Sequence, residues 1–225
     1  MTTGRIVCQF MPYITLAVFV LGVVYRIGRW HRAGVSRIPL FPAPASKAGK
    51  WARIAGEILT FNNLKATDQA LWIGTTLFHG ALILVLLGHA RVVADLSLLR
   101  EAKHSDWAGA FLGLALLFAG IFLLVRRVSL NRVRTVSSFE DYASIVLILA
   151  VVISGNLMRF SSQFDLAQSR DLFSALLLFR EPAVPSAPFF TLHFFLSQVL
   201  IMYIPFSKFL HIPGVFYSKS ILYQQ

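Results

Sequence analysis

Long apolar runs separated by short polar segments are the dominant pattern along the chain. Five runs of 16 to 23 residues occupy residues 10–25, 71–93, 107–125, 142–158 and 188–205. Each is close to the roughly 20 residues that a helix needs to cross about 30 Å of hydrocarbon. Because lipid offers the backbone no hydrogen-bond partners, we expect all five runs to be helical. The pattern predicts an all-α membrane protein, a bundle of five transmembrane helices.

The composition agrees with a membrane environment. Of the 225 residues, 56% are hydrophobic and 14% are charged, against roughly 25% charged in an average soluble domain. We therefore expect a single integral membrane domain over residues 1–225, surrounded by lipid. The net charge of +11 does not indicate nucleic acid as a partner, because Lys and Arg lie in the segments between apolar runs.

The distribution of basic residues predicts the orientation. Fourteen Lys and Arg lie on the side of residues 26–70, residues 126–140 and the C-terminal tail, and seven lie on the other side. The positive-inside rule therefore places the N-terminus outside and the C-terminus in the cytoplasm. The first run has most of its basic residues after it and no small-x-small cleavage site, so we expect it to be retained as a span.

The cytoplasmic loop 26–70 is the longest connection. Its first half carries three prolines in an extended-looking stretch. Its second half, Trp51 to Leu64, has apolar residues at helical spacing with basic neighbours. This spacing predicts an amphipathic helix on the cytoplasmic surface, or a docking face for a partner, and an ordinary connecting loop is the alternative.

Four of the six histidines lie in or at the ends of two predicted spans. His79 and His89 belong to the second span, and His193 and His211 to the fifth, whereas His31 and His104 are in loops. A single histidine at membrane depth can simply bond a neighbouring helix. Two pairs on two helices are a stronger indication of function.

The predicted topology sorts these histidines by depth. The second span runs outward and the fifth inward, so His79 and His211 lie toward the cytoplasm, and His89 and His193 toward the exterior. Facing imidazoles from two helices are how a bundle holds a b-type haem. The spans contain no acidic residue and the chain has one cysteine, Cys8, so zinc or non-haem iron lacks ligands. We expect two haem b groups.

The spacings support this pairing only in part. His193 and His211 are 18 residues apart, five whole turns, whereas the ten residues from His79 to His89 fall about 80° short of three turns. The rises also differ, about 27 Å against about 15 Å. Helix tilt and an interruption at Pro205 are candidate reasons. Gly80 and Gly88 either admit a flat macrocycle or serve helix packing.

The histidine motifs carry a family resemblance. The stretches Phe78-His79 and Gly88-His89, and the segment from His193 to PFSKFLH ending at His211, resemble the gamma subunit of respiratory nitrate reductase, a di-haem cytochrome b. Other segments look more like a second branch, the membrane cytochromes of sulfite-reduction-associated and heterodisulfide-reductase-like electron-transfer complexes. These are PFSKFLHIPGVFYS, the Asp141 start of the fourth span and its Gly155 to Arg159 end.

The resemblance implies cofactors, a substrate and partners. It implies an outer haem between His89 and His193 and an inner haem between His79 and His211, in a bacterial or archaeal cytoplasmic (inner) membrane. It implies a menaquinol site near the outer haem, for which Gly88, Arg91 and Lys103 are the candidates. The implied partner is a cytoplasmic iron–sulfur subunit of heterodisulfide-reductase type, with further subunits of a respiratory complex.

A basic cluster follows the third span. Arg132 and Arg134 belong to it, and one hypothesis is that either neutralises a propionate of the inner haem through charge-assisted hydrogen bonds. The alternative is that the cluster only sets topology and contacts anionic lipid.

The function we predict is quinol-oxidising electron transfer. Menaquinol is oxidised near the outer face, and electrons pass through two haems to the cytoplasmic partner, which carries the terminal reductase activity. The alternatives are the reverse, quinone-reducing direction and a nitrate reductase gamma subunit. A histidine-based transporter would carry more intramembrane carboxylates or broken helices, and a haem-free anchor would make the histidine pattern accidental.

Overall fold

The computed structural model describes residues 3–32, 46–93, 105–161 and 165–222, which are almost entirely helical and contain no strand. The helices are α1 Thr3–Arg32, α2 Lys47–Thr60, α3 Asn62–Thr67, α4 Gln69–Val93, α5 Ser105–Ser129, α6 Asn131–Arg134, α7 Phe139–Phe160, α8 Leu166–Leu177, α9 Pro188–Tyr203 and α10 His211–Leu222.

The five predicted spans are confirmed as helices. α1, α4, α5, α7 and α9 with its following turn are each long and apolar enough to cross a membrane. Large apolar side chains on these helices point outward, such as Leu21 and Phe111, which are 68% and 72% exposed. A surface of this kind is stable only against lipid, so the fold is that of a multi-pass membrane protein.

Three shorter features extend the predicted pattern. The predicted helix over Trp51 to Leu64 is confirmed as far as Thr60 and is part of α2, which buries Ile54 completely and leaves Trp51 half exposed. Phe61 ends α2 in the left-handed region, at φ 49°, and turns the chain into α3. The sequence did not predict α8 or α10, because each is only 12 residues long and neither stands out by hydropathy. The prolines of residues 39–44 lie outside the described residues.

The five spans pack against one another in the order α4, α5, α7, α9 and α1. α5 packs against α4 and α7, α7 packs against α9, and α9 packs against α1. One apolar core joins α1, α7, α8 and α9 around Cys8 and Leu172, and a second joins α4 to α5 around Phe78 and Leu116. α4 and α9 are not close packing partners. The helices that carry His89 and His193 therefore meet through these side chains and not through close backbone packing.

A buried polar contact ties α1 to α9. Pro12 has no N–H, and the Met11 N–H is bonded to the Ile6 carbonyl in a π-helical turn, so the Val7 carbonyl needs another donor. The Gln198 side chain supplies it at 3.0 Å, and its own carbonyl accepts from the Thr15 hydroxyl at 3.3 Å. Gln198 is 3% exposed, so no water can replace it.

Replacing Gln198 with Leu is expected to lower the free energy of unfolding by about 1 kcal/mol, because the Val7 carbonyl and the Thr15 hydroxyl lose their partner inside the bilayer. Denaturation in mixed detergent micelles measures this. The matched control is Gln9→Leu. The Gln9 side chain donates to the Pro182 carbonyl at 3.1 Å near the N-terminal end of α1, where water can take its place. Equal stability of the two variants would contradict the prediction.

Candidate functional site

The structure brings the four intramembrane histidines together in two pairs. The ring centres of His79 and His211 are 6.1 Å apart, with an interplanar angle of 86°. Those of His89 and His193 are also 6.1 Å apart, at 30°. These are the partners that the topology predicted. One pair joins His89 of α4 to His193 of α9, and the other joins His79 of α4 to His211, the first residue of α10. Their role as axial ligands stays a prediction.

A break after α9 accounts for the unequal spacing of the histidines. Tyr203, the last residue of α9, is ten residues beyond His193, the same separation as His79 to His89. Two 3-10 turns then follow, Ile204–Phe206 and Lys208–Leu210, joined by the extended residue Ser207. Because the regular helix ends there, the remaining eight residues do not continue its rise, and the His211 ring lies 6.1 Å from that of His79.

Pro205 and Gly22 allow this turn to sit against α1. Pro205 is buried where the regular helix ends, and a Cβ atom added at Gly22 would lie 2.7 Å from the Pro205 Cβ. A side chain at residue 22 would push the turn, and His211 with it, away from α1.

All four imidazoles present the same nitrogen for binding. The Nδ1 atom of each lies within hydrogen-bond distance of a backbone carbonyl, and Nδ1–H donates to it. The acceptors are Thr75 for His79 (2.9 Å), Val85 for His89 (2.7 Å), Val151 for His193 (3.1 Å) and Lys208 for His211 (3.2 Å). This assignment keeps a proton on Nδ1 and leaves the Nε2 lone pair free, which is the arrangement typical of metal-binding histidines.

The pair geometry fits a metal held between two imidazoles. A metal–imidazole bond is about 2.0 Å long, so two axial imidazoles place their ring centres about 6 Å apart. Rotation about the common axis leaves the interplanar angle free. Among the described residues, no group of three or more His, Cys, Asp or Glu could hold an ion. Two neutral imidazoles in an apolar bundle are the donor set of a b-type haem.

The outer pair is supported by α7. The Ser154 hydroxyl oxygen lies 3.1 Å from His193 Nδ1, and a Cβ atom added at Gly155 would lie 3.0 Å from His193 Cε1. Gly155 therefore lets the imidazole lie against the α7 backbone. The sequence did not indicate Ser154, because a serine within an apolar span is usually only a packing residue.

The inner pair is supported by aromatic rings. Phe61 and Phe78 lie with their ring centres 5.3 Å and 5.4 Å from that of His79. Phe61 lies at the left-handed turn between α2 and α3. The Trp72 indole N–H donates to the Thr60 carbonyl at 2.9 Å and holds the same turn. The sequence predicted α2 but not this contact.

Ion pairs cluster at the same end of the bundle. Asp68 accepts from the Leu71 backbone N–H at 2.9 Å, which caps α4, and its other carboxylate oxygen pairs with Arg126 and Arg132. The Leu71 N–H, with the two guanidinium groups, lowers the pKa of Asp68 below its usual value. The Arg132 side chain is 75% exposed, and that of Arg134 donates to Asn131 at 2.9 Å. Contacts of Arg132 or Arg134 with a propionate stay a prediction.

A second ion-pair group holds the segment before His211. Lys208 Nζ lies 2.9 Å and 3.1 Å from the two carboxylate oxygens of Asp141, and Arg127 lies 3.4 Å from the same carboxylate. Because the Lys208 carbonyl accepts from His211, this clamp links α5 and α7 to the inner pair. Asp141 contributed to the family resemblance, but the sequence did not predict its ion pairs with Lys208 and Arg127.

The three quinol-site candidates differ in their surroundings. A Cβ atom added at Gly88 would meet nothing within 4 Å, so that face of α4 is open beside His89. The Arg91 carbonyl accepts from the Arg170 Nε–H at 2.9 Å, which joins α4 to α8. Lys103 lies outside the described residues. The sequence missed Arg170, because α8 itself was not predicted.

Comparisons with known proteins agree with this architecture. Residues 59–223 match the family model of the nitrate reductase gamma subunit. The Hdr-like menaquinol oxidoreductase cytochrome b-like subunit of Archaeoglobus fulgidus is 32% identical, covering 96% of this chain and 79% of the relative. The corresponding subunit of Archaeoglobus profundus is 27% identical, over 93% and 76%. The nitrate reductase gamma chain of Bacillus subtilis is 28% identical, over 93% and 91%.

Proposed function

Because the chain belongs to the nitrate reductase gamma subunit family, we propose that it is the di-haem cytochrome b subunit of a menaquinol oxidoreductase complex. The coarser part of this function, electron transfer by a membrane cytochrome b in an oxidoreductase complex, follows from the family and from two similar Hdr-like subunits. The observation that carries the finer part is the pair of His–His contacts at equal 6.1 Å separation.

In this proposal the four histidines would bind the iron of two haem groups. His89 and His193 would hold the outer haem b, and His79 and His211 would hold the inner one. Haem b supplies reversible one-electron transfer when it is bound. The chain would contribute two Nε2 atoms to each group and the backbone carbonyls that fix the orientation of the imidazoles.

The proposal includes an orientation and a direction. The N-terminus lies outside, and the end that carries α2, α3 and α6 faces the cytoplasm, as the excess of Lys and Arg there indicates. Menaquinol is oxidised near His89, with Gly88, Arg91 and Lys103 as the candidate site, and two protons are released outside. The electrons leave to a cytoplasmic iron–sulfur partner of heterodisulfide-reductase type, which carries the terminal reductase activity.

Charge at the inner end supports the inward direction. Arg126, Arg127, Arg132 and Lys208 are paired with only two carboxylates, Asp68 and Asp141. A net positive surrounding favours the reduced state of a nearby redox centre, because the added electron lowers its positive charge. Arg132 and Arg134 also stay candidates for propionate contacts. Nitrate reductase gamma function is the second candidate, supported by the 28% identical relative.

The test is the dithionite-reduced minus oxidised spectrum of the purified chain, with haem b measured as the pyridine haemochrome. We expect b-type α-bands and two haems per chain. A menaquinol analogue in place of dithionite should reduce the same bands. Absence of b-type bands would overturn the proposal and favour a histidine-based transporter. Reduction by dithionite but not by any quinol would retain the cytochrome and reject the quinol-oxidising role.

A further inference from the structure

One of the four histidines is held differently from the others. His79, His89 and His211 each donate from Nδ1 to a carbonyl three or four residues earlier in their own stretch of chain. His193 instead bonds to α7, where both the Val151 carbonyl and the Ser154 hydroxyl lie 3.1 Å from its Nδ1 atom. The orientation of His193 therefore depends on a neighbouring helix.

The hydrogen positions around Ser154 follow from its other contact. The Ser154 hydroxyl donates to the Val151 carbonyl at 2.8 Å. Its single hydrogen is used there, so its oxygen accepts the N–H of His193. Ser154 is 1% exposed, within the membrane-spanning part of α7, and no water competes for this bond.

We propose that Ser154 is a positioning residue for His193, which orients its imidazole toward His89 and lowers the reduction potential of the outer haem. The proposal rests on the proposed function, because it requires a haem between these two histidines. It assigns to the outer site a tuning contact that the inner site does not have among the described residues.

The expected direction follows from ligand basicity. A hydrogen bond from Nδ1–H to an oxygen acceptor raises the electron density on Nε2, which makes the imidazole a stronger donor to iron. A stronger donor stabilises the oxidised state more than the reduced state, and the reduction potential falls. The Val151 carbonyl lies at the same 3.1 Å from Nδ1 and also accepts the Ser154 hydroxyl, so the His193 N–H is shared between two acceptors, and one of them is lost when Ser154 is replaced.

The test compares three variants of the complete chain in detergent by redox titration of the b-type bands. Ser154→Ala removes one of the two acceptors of the His193 N–H and leaves the Val151 carbonyl, so we expect an upward shift of one midpoint potential with the other unchanged. Ser154→Thr keeps the hydroxyl and is expected to titrate like the wild type. The control is Ser144→Ala, on the same helix, where the hydroxyl contacts the Tyr203 hydroxyl at 3.3 Å and no histidine; neither potential should move.

Each outcome has a defined meaning. Two unchanged potentials in Ser154→Ala with full haem content would overturn the proposal, and so would equal shifts of both. If Ser154→Ala lost the outer haem, Ser154→Cys would be titrated, because sulfur fills the space but is a weak acceptor; an upward shift supports the proposal and an unchanged potential overturns it. A wild-type chain without haem would instead reject the proposed function.

Discussion

Replacing His89 or His193 with alanine is expected to reduce the haem b content from two per chain to one. In the proposed outer site each histidine is one of two donors, and its partner ring lies 6.1 Å away, across the iron that they would share. Loss of a ligand should exceed the roughly 10–100-fold effect typical of residues that only support one. Reduction of the remaining haem by a menaquinol analogue should therefore fall by more than about 100-fold.

The measurement combines the pyridine haemochrome with low-spin electron paramagnetic resonance signals, which distinguish the two sites. The remaining signal should be the same in His89→Ala and in His193→Ala, because both variants empty one shared site. Different remaining signals in the two variants would show that these histidines belong to different haems. The control is His31→Ala, whose ring contacts Tyr217 at 5.9 Å between centres and which should retain both haems.

Replacing His79 or His211 is expected to give the reciprocal result. We expect the inner haem to be lost and the outer one to remain, since the proposed inner ligands are His79, in the first half of α4, and His211, which follows the turns after α9. A menaquinol analogue should still reduce the remaining haem, but electron delivery to an acceptor on the cytoplasmic side should stop. This separation of quinol oxidation from onward transfer distinguishes the inner from the outer site.

Inverted or oriented vesicles make the separation measurable, with a quinol analogue added to one side and an impermeant electron acceptor to the other. If the remaining haem of His79→Ala is no longer reduced by quinol, the quinol site lies at the inner pair. Unchanged transfer to the acceptor in both inner variants would contradict the proposed order of the two sites. The same His31→Ala chain serves as the control, because His31 contacts Tyr217 of α10, the helix that begins at His211.

Sequence reasoning and structure agree where the information is local. The five spans follow from run length and hydropathy, and α2 follows from helical spacing, because both patterns are properties of contiguous residues. The pairing of His89 with His193 followed from the direction in which each span crosses the bilayer, since successive spans must alternate. The short helices α8 and α10 were missed, because 12 residues of mixed polarity give no distinct signal.

The spacing of His193 and His211 shows the limit of extrapolating a regular helix. Eighteen residues of ideal helix would separate them by about 27 Å, far more than the separation of His79 and His89. The structure ends α9 at Tyr203 and turns the chain at Ser207. In the sequence, Pro205 indicated where the helix is interrupted. How the chain turns after that point depends on the packing of Pro205 against Gly22 in α1.

What the sequence determined by itself is therefore the membrane environment, the five spans, the predicted orientation and the four histidines in two levels. These follow from hydropathy, charge and alternation, which need no long-range contact. Only the tertiary structure decided how each histidine is held. The Ser154 contact to His193, the Phe61 contact to His79 and the ion pairs of Asp68 and Asp141 join residues that are 14 to 67 positions apart. Such contacts depend on how helices lie against one another, and no periodicity along a single segment encodes that arrangement.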